Sequence, residues 1–331
     1  MTEIKRKGSR STKDIPKEIL EQLNNGQIET ANLVEWLAVN QRVLLENLLK
    51  QTNRTKYLKP ILLNIEALKK QTVNTINETI GTGIFEQATK NNDTEILDII
   101  STHQSDLIRC WATYTVGRNP KLNVKQMLDK IQTFSADKHF GVREICWLAV
   151  RPTISKNLSE SLEILSKWTN NEDENIRRFA SEATRPRGVW CEHIEELKQK
   201  PELGLTILEP LKSDKAKYVQ DSVGNWLNDA SKSRPDFVIE LCKKWQKESP
   251  TKETEKIIVN IYLEELKNGE WKTIKSYVPP FDPLLISVNS DYYSVVLAAA
   301  KLEKGNYRFK LKNMNESISY RNQDYELVIA H

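Results

Sequence analysis

The sequence is poor in the residues that build disulfide, metal and nucleotide sites. Of its 331 residues, four are Cys, four are His and eleven are Gly. The cysteines form no CxxC pair, the histidines form no HExxH, and neither a glycine-rich phosphate loop nor a Ser/His/Asp order is present. We therefore expect reduced cysteines and no metal site, and the sequence carries no signature of a nucleotide-binding enzyme.

Long apolar runs are also missing. No stretch reaches the roughly 18 consecutive apolar residues that a membrane span needs, and no apolar segment follows the basic N terminus. We expect a cytoplasmic protein without a membrane span or a secretory signal. At 39% hydrophobic residues the chain is still able to bury a large core.

The net charge is small and is located at the N terminus. The chain has 49 Lys and Arg against 45 Asp and Glu, a formal charge of +4. Residues 1–13 hold five of the basic side chains and a single Glu. We predict a disordered basic head over 1–13 that reaches a phosphate backbone; the alternative is a solvated tail that improves solubility.

A repeated frame organises residues 106–232. Segments aligned on Ile108, Val142, Ile176 and Val219 share a helical apolar pattern, and these anchors lie 34, 34 and 43 residues apart. A period of this length is typical of stacked helical repeats. The sequence therefore predicts an all-α fold, a right-handed α-solenoid of HEAT-like helical repeats with a small C-terminal appendage.

Polar residues follow one face of these repeats. Positions +2, +6 and +9 from each anchor are neighbours on a helix. They hold Glu144, Leu148 and Arg151 in the second copy, Arg178, Glu182 and Arg185 in the third, and Asp221, Asn225 and Asn228 in the fourth. We expect this stripe to line one surface of the solenoid, where a ligand can lie along it.

Helix–turn–helix pairs are predicted along most of the chain. A long helix is expected over 57–80, ended by the glycines at 81 and 83. Further pairs are predicted at 93–102 with 105–117, 123–135 with 140–151, 158–169 with 174–184, 192–212 with 217–232, and 235–248 with 252–268. The Arg-Pro pairs at 151–152 and 185–186 are expected to close their helices.

The composition changes after Gly269. Pro279, Pro280 and Pro283 indicate a linker, 292–302 is a candidate helix, and 307–313 and 325–331 have the pattern of short strands. The predicted organisation is a head at 1–13, a repeat domain at 14–268, and a linker with a small appendage at 269–331. The sequence assigns no role to the appendage.

Two acidic residues in the frame are candidates for catalysis. Glu144 and Glu182 each fall on the polar stripe. The alternative is a structural ion pair, for example Glu144 with Arg178, or Glu182 with Arg185. Composition alone favours the ion pair.

Four tryptophans near these residues are candidates for a binding surface. They are Trp111, Trp147, Trp190 and Trp226. An aromatic ring beside Arg suits stacking on a base, or a cation–π contact with a cationic ligand. We expect at least one of them at such a surface.

Three segments resemble a known family. VREICWLAVRP (142–152), IRRFASEATRPRGVW (176–190) and YVQDSVGNWLNDASKSRPDFVIELCKKW (218–245) are similar to the HEAT-like-repeat alkylpurine DNA glycosylases, most closely to their C-type branch. The opening KGSRSTKDIPKEILEQLNNGQIETANLVEWLAVN (7–40) resembles the same branch. The resemblance covers roughly residues 5–268.

The resemblance implies a function. Members hydrolyse the N-glycosidic bond of cationic N-alkylated bases, such as 3-methyladenine, on a concave basic surface and without flipping the base into a deep pocket. It implies that Glu144 and Glu182 lie in the acidic catalytic region, and that Trp111, Trp147 and Trp190 surround the lesion. Because an alkylated base is already a cationic leaving group, no cofactor is needed.

The chain departs from the family pattern at two places. Gln220 replaces an Arg that the first three copies keep, which implies a weaker phosphate contact. Residues 278–331 are too short for the immunoglobulin-like domain that some C-type members carry.

The expected partner is double-stranded DNA with alkylated bases, bound by a monomer. The residues expected to contact DNA are Arg109, Trp111, Arg143, Trp147, Arg151, Arg178, Arg185, Arg187, Trp190, Asn225 and Asn228. Two alternatives stay open: a non-catalytic repeat scaffold that binds DNA, and an adaptor whose concave face holds an acidic peptide. A DNA affinity that falls steeply with salt would favour the glycosylase or the DNA-binding scaffold over the adaptor.

Overall fold

The computed structural model describes residues 6–188 and 190–258 in full, and the backbone of six short strands between 261 and 329. The chain forms two compact units, Met1–Asn157 and Leu158–His331. Helices that pack against their neighbours in the chain form the first unit and most of the described part of the second.

The described part of the first unit contains nine α-helices. They are α1 (Lys17–Asn24), α2 (Leu33–Ala38), α3 (Gln41–Gln51), α4 (Leu58–Glu66), α5 (Val73–Asn91), α6 (Thr94–Ser101), α7 (Asp106–Gly117), α8 (Val124–Ser135) and α9 (Phe140–Lys156). Helix α7 packs against both α5 and α9, and α8 packs against α9. The core side chains of α7 and α9, including Ile108 and Val142, are buried as the repeat frame predicts.

The second unit combines helices with strands. The helices are α10 (Leu158–Trp168), α11 (Glu174–Ala183), α12 (Glu195–Gln199), α13 (Leu205–Leu211), α14 (Lys217–Ser231), α15 (Pro235–Glu248) and α16 (Lys252–Ile257). The strands are β1 (Ile261–Lys267), β2 (Glu270–Tyr277), β3 (Ile286–Ser287), β4 (Ser294–Val295), β5 (Gly305–Leu311) and β6 (Tyr325–Ile329). Helix α14 packs against α11, α15 and α16, and an antiparallel sheet has the strand order β2-β1-β5-β6.

The helix pairs confirm the predicted helical repeats. Each of the four anchors lies in a helix whose anchor side chain is buried. Strands β5 and β6 confirm the two strands predicted near the C terminus. The linker prolines and most of 292–302 lie outside the described residues.

The predicted long helix at 57–80 is wrong. Helix α4 ends at Glu66, and α5 begins after Thr72, whose side chain accepts from the Thr75 backbone in a capping box. Helix α5 then continues through the two glycines that were expected to end it. A Cβ at Gly81 would lie 2.5 Å from the Trp111 carbonyl oxygen, so glycine permits the close approach of α5 to α7.

Three other predicted boundaries change. Helix α9 continues past Pro152 to Lys156; Pro152 is exposed, and Ile154 in the last turn is buried. The single helix predicted over 192–212 is divided by a 3-10 turn at Pro201–Gly204. The helix predicted over 252–268 ends at Ile257, and β1 follows.

Part of the predicted disordered head is ordered. Arg6 donates from Nη1 and Nη2 to both carboxylate oxygens of the buried Glu35, at 2.6 Å each. Asn32 donates to the Ser9 carbonyl oxygen at 2.8 Å, and a short 3-10 helix spans Thr12–Asp14. These contacts hold residues 6–14 against α2, so the prediction of disorder is wrong for that part of the head.

A common turn precedes four helices of the repeat frame. In each turn a side chain accepts a hydrogen bond, 2.8–3.0 Å long, from the backbone N–H two residues later. These side chains are His103, Asp137, Asn171 and Asp214, which have the same spacing as the anchors. The turn is therefore part of the repeat.

The residue that follows each anchor closes this turn. Arg109, Arg143 and Arg177 each donate from Nη1 to the carbonyls six and five residues earlier, at 2.7–3.1 Å. Gln220 donates from Nε2 to the Asp214 carbonyl oxygen at 2.7 Å. The substitution of Gln for Arg at 220 therefore changes a turn contact, and the expectation that it weakens a phosphate contact needs correction.

Candidate functional site

Arg109 is a structural residue. Its side chain is 6% exposed and forms ion pairs with Glu29 at 2.6 Å and Asp137 at 2.7 Å. Although burial opposes the charge, these carboxylates raise the pKa of Arg109 above its usual value. The Arg109 guanidinium is committed to the turn and to two carboxylates, which favours a structural role, and a DNA contact by Arg109 stays a prediction. Arg143 closes its own turn in the same way, and a DNA contact by it stays a prediction.

Two of the four candidate tryptophans belong to the core. Trp111 and Trp226 are fully buried. Trp111 Nε1 donates to the Gln41 side chain at 3.3 Å, and Trp226 Nε1 donates to the Thr184 carbonyl at 3.0 Å. The prediction of Trp111 on the surface around a lesion is wrong, because its side chain is fully buried in the core.

Trp147 and Glu144 form a pair on α9. Trp147 Nε1 donates to Glu144 Oε2 at 3.0 Å, one helical turn away. The Trp147 ring is 4% exposed, whereas Glu144 is half-buried. The indole thus holds a partly accessible carboxylate in one orientation, and Trp147 is a support for Glu144 more than a surface aromatic.

Glu182 is at the centre of an ion-pair cluster between α11 and α14. Its Oε1 accepts from Arg185 Nη1 at 2.8 Å, and its Oε2 lies 3.4 Å from Arg178 Nη2. Ser222 Oγ donates to Oε2 at 2.8 Å. Glu182 is 3% exposed, so the ion-pair alternative from the sequence is realised for this residue.

A second carboxylate, Asp229, completes the cluster. Asp229 Oδ2 accepts from Arg185 Nε at 2.8 Å, and Lys232 Nζ lies 3.6 Å from Oδ1. Asp229 escaped prediction from the sequence, because it lies one position beyond the stripe. The available signal was weak: an acidic residue directly follows Asn228, in one of the two copies that lack the Arg-Pro pair.

The two carboxylates that share Arg185 have opposite pKa shifts. Burial alone would raise the pKa of Glu182, but the charges of Arg178 and Arg185 hold it below its usual range. Burial raises the pKa of Asp229, and Arg185 offsets this only in part. The difference follows from the number of donors, because Glu182 faces two guanidinium groups and a hydroxyl.

The other arginines of the stripe are also buried. Arg151 is 2% exposed, Arg178 is 8% exposed and Arg185 is 9% exposed. The Arg178 guanidinium lies over the Tyr218 ring, 4.3 Å from its centroid. Asn225 is exposed and Asn228 is half-buried. The stripe therefore combines buried arginines with more accessible asparagines.

Trp190 is the most exposed of the four candidate tryptophans. Its side chain is 78% exposed, and its φ of 61° is in the left-handed region that bulky residues rarely adopt. Nearby in sequence, Arg187 Nη2 donates to Ser233 Oγ at 2.7 Å, which ties this loop to the end of α14. A large ring held in solvent on a strained backbone indicates a contact surface.

The described part of the chain carries neither a metal cluster nor a membrane span. Residues 6–188 and 190–258 contain no group of three or more His, Cys, Asp or Glu side chains placed to hold a metal ion. Over the same residues, no helix has both the length and the apolarity to cross a membrane.

Comparison with known proteins gives a family and a fold. Residues 142–254 match the family model described as DNA alkylation repair enzyme. The chain is 38% identical over 122 residues to the uncharacterized protein YhaZ of Bacillus subtilis (strain 168), a match that covers 37% of this chain and 34% of YhaZ. The matched region is thus about a third of the length of that relative.

One solved structure shares the architecture, and a second has a weaker match. The Pseudomonas fluorescens alkylpurine DNA glycosylase AlkC, bound to DNA containing an abasic site analog, matches with a TM-score of 0.53 at 16% identity, over 97% of this chain and 99% of that one. AlkD2 from Streptococcus mutans matches with a TM-score of 0.47 at 21% identity, over 61% of this chain and 94% of that one. The likeness to AlkC shows the fold, an α-solenoid of HEAT-like repeats. The family model confirms the resemblance seen in the sequence over residues 142–254, which are similar to the DNA alkylation repair enzymes.

Proposed function

We propose that the protein is a DNA glycosylase that hydrolyses the N-glycosidic bond of cationic N-alkylated bases. The observation that carries the proposal is the family match over 142–254, which contains Glu144, the Glu182 cluster and Trp190. The shared fold with an alkylpurine DNA glycosylase supports it. We further propose that the protein acts in the cytoplasm, as a monomer on duplex DNA. The four cysteines, none of which is in a disulfide, are compatible with a reducing compartment.

Glu144 is the proposed catalytic carboxylate. Departure of a cationic base needs no acid, but it leaves positive charge on the sugar and requires a water to attack. A fixed carboxylate stabilises that charge and directs the water. Glu144 suits this role because it is partly accessible and Trp147 fixes its orientation.

Glu182 has a proposed role one step away from the reaction. Buried between two guanidinium groups, it is positioned to hold Arg178 and Arg185 in place. Asp229 holds Arg185 from the other helix. We propose that these arginines attract the DNA backbone, and that Trp190 packs against a nucleoside at the lesion.

A non-catalytic DNA-binding scaffold is the second candidate. It is favoured by the burial of Glu182, which shows that at least one conspicuous acidic residue has a structural contact. The experiment that decides is release of methylated bases from alkylated duplex DNA by the purified protein. Release that depends on Glu144 supports the glycosylase, whereas DNA binding without release supports the scaffold.

A further inference from the structure

A chain of two buried hydroxyl groups leads to the Glu182 carboxylate. Ser181 on α11 and Ser222 on α14 are 0% and 2% exposed, and their Oγ atoms lie 2.8 Å apart. Ser222 Oγ is also 2.8 Å from Glu182 Oε2. The contact from Ser222 to Oε2 is shorter than the 3.4 Å approach of Arg178 to the same atom.

The directions of these hydrogen bonds follow from counting protons. An ionised carboxylate only accepts, so a hydrogen bond from Ser222 to Glu182 takes the single hydroxyl proton of Ser222. Ser181 must then donate to Ser222 to form the bond between the two hydroxyls. Ser181 also lies 3.0 Å from the Arg178 carbonyl oxygen, which is a competing acceptor for its one proton.

Two arrangements of the protons are therefore available. In one, Ser181 donates to Ser222 and Ser222 donates to Glu182. In the other, Ser222 donates to Ser181 and Ser181 donates to the Arg178 carbonyl, which leaves Oε2 without its hydroxyl donor. A bond to a charged acceptor is about twice as strong as one between neutral groups, so the first arrangement wins. Each hydroxyl in such a chain also polarises the next.

We propose that Ser222 is a positioning residue for the base-release reaction, acting through Glu182 to keep Arg178 and Arg185 in place, with Ser181 orienting its hydroxyl. The proposal rests on the proposed glycosylase function. It goes beyond the residues that line the site, because neither serine reaches the surface.

Loss of the Ser222 hydroxyl should also change the response to pH. Burial opposes ionisation of Glu182, while Arg178, Arg185 and the Ser222 hydroxyl keep its pKa below the usual range. Loss of the hydroxyl moves that pKa upward, so Glu182 takes a proton at a higher pH and releases its hold on the guanidinium groups. Asp229 and Lys232 also face this cluster from the α14 side, and the Tyr218 ring of α14 lies against the Arg178 guanidinium. Asp229 titrates in both the parent and the variant. The effect of Ser222 is therefore measured as the difference between their pH profiles of base release.

The test compares three substitutions with the parent chain. Ser222→Ala removes the donor, and Ser222→Thr keeps a hydroxyl. Ser231→Ala is the matched control, since Ser231 is 2% exposed on the same helix and its hydroxyl donates to a backbone carbonyl at 2.8 Å. Single-turnover release of methylated base is measured from about pH 3 to pH 9, together with DNA affinity and melting temperature.

We expect Ser222→Ala to slow base release roughly tenfold near neutral pH, as befits one hydrogen bond to a charged group. As the pH falls, its rate of base release is expected to decline at a higher pH than that of the parent. Ser222→Thr should restore both properties, and Ser231→Ala should change neither, although it lowers the melting temperature. If Ser222→Ala matches Ser231→Ala in rate and in pH profile, the positioning role is overturned while the proposed function stands. A parent chain that releases no base overturns both.

Discussion

Trp147 Nε1 donates a 3.0 Å hydrogen bond to Glu144 Oε2 across one turn of α9. Because the indole is buried and the carboxylate is half-buried, the ring works as a fixed support for an acidic group at the protein surface. Of the two roles open to Trp147, stacking on a lesion or supporting Glu144, this relationship favours support. Glu144 is also the more accessible of the two acidic candidates, since Glu182 is buried.

Replacing Trp147 by Phe should slow base release without abolishing it. Phe keeps most of the ring packing but cannot donate to Glu144, so the carboxylate loses its orientation. We expect roughly a tenfold loss in single-turnover rate, in keeping with one hydrogen bond to a charged group. DNA affinity should stay close to that of the parent. A normal rate in the Phe variant contradicts the role of Trp147 as the support of Glu144.

Removal of the Glu182 side chain should affect stability first. Glu182→Ala leaves Arg178 and Arg185 buried without their shared carboxylate, and breaking a buried pair in this way costs about 3–5 kcal/mol. Glu182→Gln keeps the shape and should cost less. Denaturant unfolding measures both. An Ala variant as stable as the parent would show that the cluster contributes little to the second unit.

Arg109→Ala should likewise destabilise the fold while leaving DNA recognition intact. Arg109 connects Glu29, Asp137 and the turn before α7, so its loss unties three segments of the first unit. We expect a lower melting temperature and an unchanged salt dependence of DNA binding by the folded variant. A flatter salt dependence would mean that Arg109 contacts phosphate after all.

The exposed basic residues of the head should contribute to DNA affinity. Lys7, Arg10 and Lys13 are exposed, whereas Arg6 is paired with Glu35. Changing these three residues to Ala retains the Arg6 ion pair and should weaken binding to DNA of any sequence. The slope of log K against log salt should become shallower by roughly 0.9 for each phosphate that the head no longer neutralises. An unchanged slope assigns the head to solubility alone.

The fold was accessible from the sequence because its repeat places large apolar residues at fixed intervals. The burial of Ile108 and Val142 was predictable, because apolar residues at helical spacing form one face that packs into the core. The continuation of α5 through Gly81 could not be predicted from the sequence. A glycine there indicates a helix end unless its close contact with the Trp111 carbonyl is known.

The site was harder to predict, because the same residue type serves different partners. An Arg that binds phosphate and an Arg that closes a turn look alike in sequence, as Arg109 shows. Trp111 and Trp190 likewise have similar contexts but opposite exposure. Asp229 was missed because its importance depends on α14 packing against α11, which no local pattern reveals.

The central claim is that Glu144 is the carboxylate that acts on the alkylated nucleotide. The most direct test is single-turnover release of 3-methyladenine from methylated duplex DNA by Glu144→Gln, which keeps the side-chain shape and removes its charge. We predict a loss of roughly 100- to 1000-fold in rate, the usual effect of removing one electrostatic stabiliser, with folding and DNA affinity unchanged. A rate equal to that of the parent would contradict the account and return Glu144 to the role of a structural partner of Trp147.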